Sequence, residues 1–592
     1  MRFSPCKLAY ILCLMVPFVS IQAQKDTVYV TGGLQHESLF PTVNVDNDRT
    51  TPKADWAKID HLSNTYLDLG VRYEHNSDNK ACFQGVEVML RGELTQWPLL
   101  GYDADFGGYG LSHLHVAMPF KWGRVTVGDV YGQFGSGFVL RLYEDRPLGI
   151  DNALRGGKIE FTPYKGIYAT VIGGKQRRYW NCYTDGAGGW NYTQDATIGG
   201  NVELGVHEWS QAMQDAGANL TIGASYVSKY QQKDSLGKVQ ETFVDSLGTH
   251  IINSFYNVPA WVGAADIRAQ FQMKGWNALI EYAYKANDPV AYPNNKHPCY
   301  YNYKHGEALL LSLSYSQKGM SVILQAKRSE NMLFLSDRNI LNSRSTACGR
   351  LNHLPPFANQ HTYALASLYP YGTEVMGNEW AFQGEIRYTW RRGTPMGGKY
   401  GTTLKLNASH IRGLSDERIE SDKASWWGIG KETRYTDVNL ELNKKINKQW
   451  YLGAMLMYQG YNKKLIEGEG DMIHAGIAVV EAKYALNKNI QMRAEVQYLY
   501  TPHDLGQWFF ALYEISLWKQ LMLSAQYQYN IGYGNVEPED RHFYTVAATW
   551  QRKAHRLMAG YTKTRAGYNC SGGVCRYVPQ QEGVNITYNF SW

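Results

Sequence analysis

The last ten residues, GVNITYNFSW, constrain the fold most, because they change from apolar to polar at every position. Val584, Ile586 and Tyr588 alternate with polar residues, and the pattern continues through Phe590 to Trp592 at the C-terminus. A two-residue period indicates a β-strand whose two faces meet different environments. The apolar face must contact either a protein core or lipid, and the rest of the sequence has to decide between them.

The same alternation recurs along nearly the whole chain. Clear examples are residues 309–315, 382–390, 404–409, 491–500 and 521–530. Strands of about ten residues, with Tyr or Trp at the ends of the apolar face, are typical of membrane barrels with aromatic girdles and a watery lumen. Short turns also alternate with long polar loops. The sequence therefore predicts an all-β chain, with residues 24–592 forming a single large transmembrane antiparallel β-barrel.

Composition supports a β-barrel and argues against membrane-spanning helices and against nucleic-acid binding. The mean hydropathy is −0.40, and no long apolar run follows the N-terminus, which argues against membrane-spanning helices. The formal net charge is +6 over 592 residues. Because the sequence contains no dense Lys/Arg tract, nucleic acid is not an expected partner.

The N-terminus reads as a signal peptide over residues 1–23. Arg2 and Lys7 supply positive charge, residues 8–21 are mostly apolar, and Ala23 precedes an acceptable cleavage site. Export followed by barrel insertion predicts a multi-pass protein of the cell outer membrane.

An exported chain meets an oxidising compartment, where cysteines can pair. Cys570 and Cys575 flank a Gly-Gly turn that lets the two thiols meet, so they are predicted to form a disulfide. No histidine lies beside them at metal-ligand spacing, so no metal site is expected there. The pairing of four other cysteines cannot be deduced from the sequence: Cys82, Cys182, Cys299 and Cys348.

The number of strands is less certain than the class of fold. Strands can be counted forward from Val28 and back from Trp592. The two counts make two successive segments, residues 321–329 and 362–369, run in the same direction. One inward crossing within residues 332–360 would remove the conflict and give about 26 strands, an even number. A barrel of about 24 strands is the alternative, if two of the counted segments belong to one bent element.

One segment breaks the alternation, at residues 130–158. Three glycines are followed by a compact cluster of six charged residues: Arg141, Glu144, Asp145, Arg146, Asp151 and Arg155. A loop folded into the lumen would place these charges in a pore constriction, where opposed charges select solutes by charge and dipole. Alternatively, the segment is a plug or salt-bridged loop that passes nothing. A barrel this wide needs some filling, which suits either interpretation.

Catalysis is not expected. The histidines are scattered over distant strands, and no Gly-x-Ser-x-Gly motif precedes a helix. The glycine-rich stretch at residues 134–137 lacks the strand-to-helix junction and the lysine of a phosphate loop. No cofactor is predicted.

Several motifs resemble a family of large Bacteroidota outer-membrane barrels of unassigned function. They are LTQWPLLGYDADFGGYGL, YGQFGSGFVLRLYEDRPLGIDNALRG, GGKQRRYW, HTYALASLYPYGTE, GGKYGT and CSGGVCRYVP. The resemblance spans nearly the whole mature chain and brings no substrate or catalytic residue. It implies a single-domain barrel assembled through its terminal aromatic strand. Phe590 and Trp592 would then be the insertion signal read by the barrel-assembly machinery.

Two functions remain open. The first is a porin-like channel for a small hydrophilic solute, narrowed by residues 130–158. The second is a non-conducting accessory barrel, a scaffold that binds a surface or secretion-system protein or a glycan. In both cases the lipid bilayer surrounds the protein.

Overall fold

The computed structural model describes most of the chain. The described residues are 26–42, 60–75, 83–95, 97–102, 106–178, 180, 195–231, 239–245, 248–254, 259–288, 290–294, 297–302, 304–337, 349–372, 378–415, 424–532, 541–571 and 574–592. The predicted signal peptide, Cys82, Cys182 and Cys348 lie outside the described residues. No helix among the described residues is long and apolar enough to cross a membrane.

Twenty-four strands form one large sheet, and we number them β1–β24 in chain order. The first half comprises β1 Asp26–Pro41, β2 Leu62–His75, β3 Gly85–Leu94, β4 Tyr109–Phe120, β5 Gly123–Val130, β6 Leu154–Tyr164, β7 Ile167–Gln176, β8 Ala196–Gly205, β9 Ala218–Tyr230, β10 Trp261–Met273, β11 Trp276–Lys285 and β12 Gly306–Gln317. The second half comprises β13 Met320–Glu330, β14 Glu379–Trp390, β15 Thr402–Leu414, β16 Ile429–Lys445, β17 Trp450–Asn462, β18 Met472–Ala485, β19 Ile490–Tyr500, β20 Trp508–Leu517, β21 Leu521–Asn530, β22 His542–Arg552, β23 His555–Thr564 and β24 Gln581–Ser591.

Short elements lie between these strands. Three hairpins form separate two-stranded sheets at the long-loop end: Val239–Asp245 with Gly248–Ser254, Val290–Asn294 with His297–Asn302, and Gly567–Ser571 with Val574–Val578. The helical elements among the described residues are short, and the longest is Gln211–Ala216.

The sheet closes on itself through its first and last strands. β1 pairs antiparallel with β24, in a register that runs from Gly33 opposite Ser591 to Pro41 opposite Gly583. The backbones of Gly32 and Trp592 also exchange two hydrogen bonds, of 3.0 and 3.1 Å. The predicted all-β antiparallel barrel is therefore confirmed. The role of the terminal strand as an assembly signal stays a prediction.

The two faces of the wall differ as the alternation predicts. On β17 and β18, the outward-facing Leu456 and Val480 are 63% and 58% exposed. The preceding residue on each strand, Met455 and Val479, is buried inside the barrel. An apolar outward face on a closed barrel is the face that contacts lipid.

The strand count resolves to 24, not to 26. β13 pairs directly with β14, with Ser329 opposite Glu379, so no strand crosses the membrane between them. The described parts of residues 332–360 contain no strand of the wall, and residues 362–369 form turns instead of an outward strand. The apolar residues that suggested strands here are buried inside the barrel instead.

The closing seam provides a sharp test of the barrel. A Cβ added to Gly583 would lie 2.2 Å from the backbone oxygen of Phe40, so Gly583→Val must force β24 away from β1. We expect a loss of about 1–3 kcal/mol or more of folding free energy. The measurement is the yield of compact barrel, read as the fraction that keeps folded mobility on an unheated detergent gel. In the control, Gly33→Ala, the new Cβ lies 3.6 Å from its nearest neighbour, the backbone oxygen of Phe590, and full yield is expected.

Candidate functional site

The segment between β5 and β6, residues 131–153, folds into the lumen as two small hairpins. Gly132–Phe134 pairs with Leu140–Leu142, and Glu144–Asp145 pairs with Ile150–Asp151. The turn of the second hairpin is a 3₁₀-helix, Arg146–Leu148, which Asp145 caps by accepting a hydrogen bond from the Leu148 N–H. These hairpins occupy residues 131–153 of the predicted segment 130–158, and β6 begins at Leu154.

A second segment, which the sequence did not identify, enters the lumen between β13 and β14. Its described part covers residues 331–337 and 349–372. We call residues 131–153 and the described part of residues 331–372 together the lumenal plug.

Backbone hydrogen bonds and two buried asparagines join the halves of the plug. Arg141 N donates to Leu351 O at 2.7 Å, and His353 N donates to Gly137 O at 2.8 Å. Asn352 Nδ2 donates to Phe138 O and to Met332 O, at 3.1 and 2.6 Å. Asn152 Nδ2 donates across the junction in the same way, to the carbonyls of Arg141 and Arg350.

Apolar side chains fill the space around these bonds. Phe138, Leu140, Phe334 and Leu351 are each 0% exposed. They belong to one continuous buried cluster that includes lumenal wall residues on strands from β5 to β22, among them Ile172, Ala308, Ile477 and Trp508. At the long-loop end, part of the lumenal face of the wall is thus apolar and packs against the plug, where the sequence predicted a polar, watery surface.

Four charged groups attach the first segment to the wall. Arg146 contacts Asp68 on β2 at 2.8 Å and Glu144 at 2.6 Å. Arg91 on β3 contacts the same two carboxylates, at 2.6 and 2.8 Å. The Arg146 guanidinium also lies over the ring of Tyr66, 4.5 Å from its centroid. Burial raises the pKa of Glu144 despite the two arginines.

A second group of charges lies beside the first. Arg177, which follows β7, pairs with Asp151 of the plug and with Glu93 on β3. The Tyr131 hydroxyl donates to Asp151 at 2.9 Å. Burial alone would raise the pKa of Asp151, but the charges of Arg177 and Arg91 outweigh it and hold the pKa below its ordinary value.

The six charged residues singled out in the sequence therefore have different environments. Glu144, Arg146 and Asp151 join the ion pairs between plug and wall, and Asp145 caps a turn. The Arg141 guanidinium lies over the ring of Tyr143, at 4.2 Å. Arg155 is on β6, where it pairs with its neighbour Asp129 at 2.5 Å on the face that also carries the exposed Val127 and Ile159. Glu144, Arg146 and Asp151 therefore pair across the contact between plug and wall, not across an open lumen, whereas the Arg155 pair lies within the wall.

The second segment is held by the opposite side of the barrel. His361 contacts Asp437 on β16 at 2.6 Å, and Leu365 N donates to Gln497 on β19 at 2.8 Å. Gln459 on β17 donates to the carbonyl of Tyr369 at 2.9 Å. The two segments together therefore connect wall strands on both sides of the lumen.

The predicted disulfide lies at the long-loop end. Cys570 and Cys575 are directly opposite each other in the hairpin that follows β23, an arrangement that permits the bond. The disulfide itself stays a prediction, and the pairing of the other four cysteines stays open. Within the described residues, no group of three or more His, Cys, Asp or Glu side chains could hold a metal ion.

A closed antiparallel sheet of 24 strands with an apolar outward face defines a transmembrane β-barrel, here one with an internal plug. The sequence matches the model of DUF6029, described as a family of unknown function, over residues 6–592. The chain therefore belongs to that family. No curated protein sequence matches it.

Solved structures with a similar fold are outer-membrane barrels of several kinds. The siderophore receptor PirA from Pseudomonas aeruginosa matches with a TM-score of 0.39 and 8% identity, over 95% of this chain and 80% of that one. The translocation pore of the P pilus usher PapC gives 0.37 and 8%, over 95% and 99%. OccAB3 from Acinetobacter baumannii gives 0.33 and 7%, over 96% and 99%. At these scores the similarity carries no argument about what this chain binds or passes.

Proposed function

We propose that this protein is an outer-membrane barrel closed to free diffusion by its lumenal plug, and that its outer end serves as a scaffold for a surface or secretion-system protein or a glycan. The observation that carries the proposal is the continuous buried cluster that joins the plug to the wall from β5 to β22. A loop that only narrows a pore would leave a water-filled gap on one side. Here the plug is bonded to wall strands on both sides.

The ion pairs between plug and wall support a permanent plug. Asp68 and Glu144 each contact both Arg91 and Arg146, so moving the first segment would strip several charges of their partners at once. Removing one partner of a buried ion pair lowers the free energy of unfolding by about 3–5 kcal/mol. Thermal motion alone would therefore rarely displace this segment.

A channel that opens when the plug moves is the second candidate. It is favoured by the lumenal wall towards the short-turn end, which is polar and exposed. Lys483 on β18 is half exposed, and a cavity of about 600 Å³ is lined there by Lys488, Lys519 and Arg556, among others. A wall of this kind suits a water-filled vestibule below the plug.

Ion conductance in planar bilayers distinguishes the two functions. We expect the unaltered protein to show no steady conductance. A variant in which residues 332–377 are replaced by a short Gly-Ser linker should give stable ohmic steps, since this removes half of the plug. The linker is feasible because Ser329 and Glu379 are adjacent across β13 and β14.

The matched control shortens a different long loop. Replacing residues 232–258 with the same linker removes the hairpin Val239–Asp245 with Gly248–Ser254, which forms its own sheet. This variant should stay closed. Steady current through the unaltered protein would overturn the closed barrel in favour of the channel.

A further inference from the structure

A cavity of about 300 Å³ lies beside the plug, against the lumenal face of β20–β23 near the long-loop end. Phe510, Gln528 and Phe543 line it and occupy one row across three neighbouring strands, because Gln528 is directly opposite both phenylalanines. Thr564 and Gln581, which are opposite each other on β23 and β24, also line the cavity. Directly opposed residues on one face lie about 5 Å apart. An amide is therefore held between two aromatic rings, with a hydroxyl and a second amide close by.

An arginine covers this row. Arg565 directly follows β23 and donates from Nη1 to the carbonyl of Ala566 at 3.0 Å. Gly567 leaves room for it, since a Cβ at that position would lie 2.3 Å from Arg565 Nη1. Tyr568 closes the same side of the cavity.

Arg565 is partly buried and differs from the buried arginines of this barrel in its surroundings. Arg91, Arg177 and Arg328 each contact at least one carboxylate. Among the described residues, by contrast, the ionisable groups that act on Arg565 are the hydroxyls of Tyr369 and Tyr577, and burial lowers its pKa. Removing a cation from water without a paired anion is costly. The surroundings of Arg565 therefore favour a bound anion.

Two further polar groups of the lining lack partners in the described part of the chain. They are the amide nitrogen Nε2 of Gln528 and the hydroxyl Oγ1 of Thr564. Buried polar groups in folded proteins are normally hydrogen-bonded, so unpartnered ones beside a cavity indicate a bound molecule. The cavity thus offers a guanidinium, an amide donor, a hydroxyl and aromatic faces.

We propose that this cavity binds one sugar ring that carries a carboxylate, a uronic acid. A guanidinium pairs with a carboxylate through two parallel hydrogen bonds. Aromatic faces accept the apolar side of a ring, while the amides and the hydroxyl bond its hydroxyl groups. The cavity volume is at the lower end for ligand sites and fits one ring. The site is independent of whether the lumen conducts, because wall strands and the hairpin that follows β23 line it.

Calorimetric titration of the full-length protein in detergent tests the proposal with D-glucuronate, D-glucose and acetate. Glucuronate and glucose share the ring and differ in the carboxylate, whereas acetate supplies the carboxylate without the ring. We expect glucuronate to bind about tenfold or more tightly than either of the others, because glucose lacks the charged hydrogen bonds and acetate lacks the contacts of the ring. Equal binding of acetate would mean that the ring is not recognised. Equal binding of glucose, or no binding of glucuronate, would also overturn the proposal.

Two variants assign the effect to the named groups. Arg565→Gln should bring glucuronate down to the affinity of glucose, and Gln528→Leu should weaken both sugars. Arg556→Gln is the matched control, because Arg556 belongs to β23 and lines a different cavity at the short-turn end. It should bind glucuronate as the unaltered protein does. Each variant is first shown to keep the gel mobility of the folded barrel. The comparison of the three ligands uses the unaltered protein and therefore tests the proposal even if a variant fails to fold.

Discussion

Replacing Glu379 with alanine is expected to lower the free energy of unfolding by about 3–5 kcal/mol, because it removes one partner of a fully buried ion pair. Glu379 Oε1 lies 2.9 Å from Lys327 Nζ, and neither side chain is exposed. The hydroxyl of Tyr371 in the plug also donates to this carboxylate, and the Arg434 guanidinium lies 3.9 Å away. Alanine would remove the carboxylate that faces the buried Lys327 ammonium, which also donates to the Pro355 carbonyl at 2.7 Å. Denaturant titration in lipid vesicles measures the change.

Two further variants separate the ion pair from a general effect of the site. Glu385→Ala lies on the same strand and the same lumenal face, where the side chain is only partly buried, and should change stability by less than about 0.5 kcal/mol. The double variant Lys327→Met with Glu379→Leu should recover part of the loss, since apolar pairs often replace buried ion pairs without penalty. If Glu379→Ala and Glu385→Ala shift the unfolding midpoint equally, the buried pair contributes no more to stability than a partly buried lumenal side chain.

The wall of this barrel is predictable because its signal is local. In Leu521–Asn530, each residue faces lipid or lumen according to its parity, so ten residues suffice to assign both faces. Closure is also predictable, since a terminal amphipathic strand needs a partner and β1 carries the free edge. The number of strands was harder, because an inserted segment with spaced apolar residues resembles a strand in a short window. Leu365 and Tyr369 are apolar at such a spacing, yet they pack inside the lumen.

The plug was only half predictable for the opposite reason, namely that its contacts join residues far apart in the chain. The bond between Asn352 and Phe138 spans 214 positions, and no local pattern marks either end of it. The charges of residues 144–151 were visible as a cluster, but their partners Asp68 and Arg91 read as ordinary lumenal residues of β2 and β3. A signal was nonetheless present. Charges near the long-loop ends of neighbouring strands, beside a charged loop, are candidates for pairing with it.

Replacing Asn352 with leucine is expected to lower the free energy of unfolding by about 2–4 kcal/mol. Most of this loss should appear as a loosening of the plug within the lumen. The Asn352 side chain donates to the carbonyls of Phe138 and Met332 and accepts from the Phe334 N–H at 3.1 Å. Leucine has a similar volume but would leave all three backbone groups buried without this partner. Two measurements follow the loosening: brief openings in planar bilayers, and tryptic cleavage after Arg350, which the folded plug buries.

Asn152→Leu should act similarly, because Asn152 bonds the carbonyls of Arg141 and Arg350 in the same junction. The double variant should then cost less than the sum of the two, since residues that share one interface are coupled. Asn277→Leu is the control: this residue is on β11, faces the lumen, and bonds the Gln270 side chain of the wall at 3.2 Å. It should neither open the barrel nor expose Arg350. A barrel that stays closed and uncleaved with both asparagines replaced would mean that the anchors to the wall alone, and not the junction between the two segments, keep the plug in place.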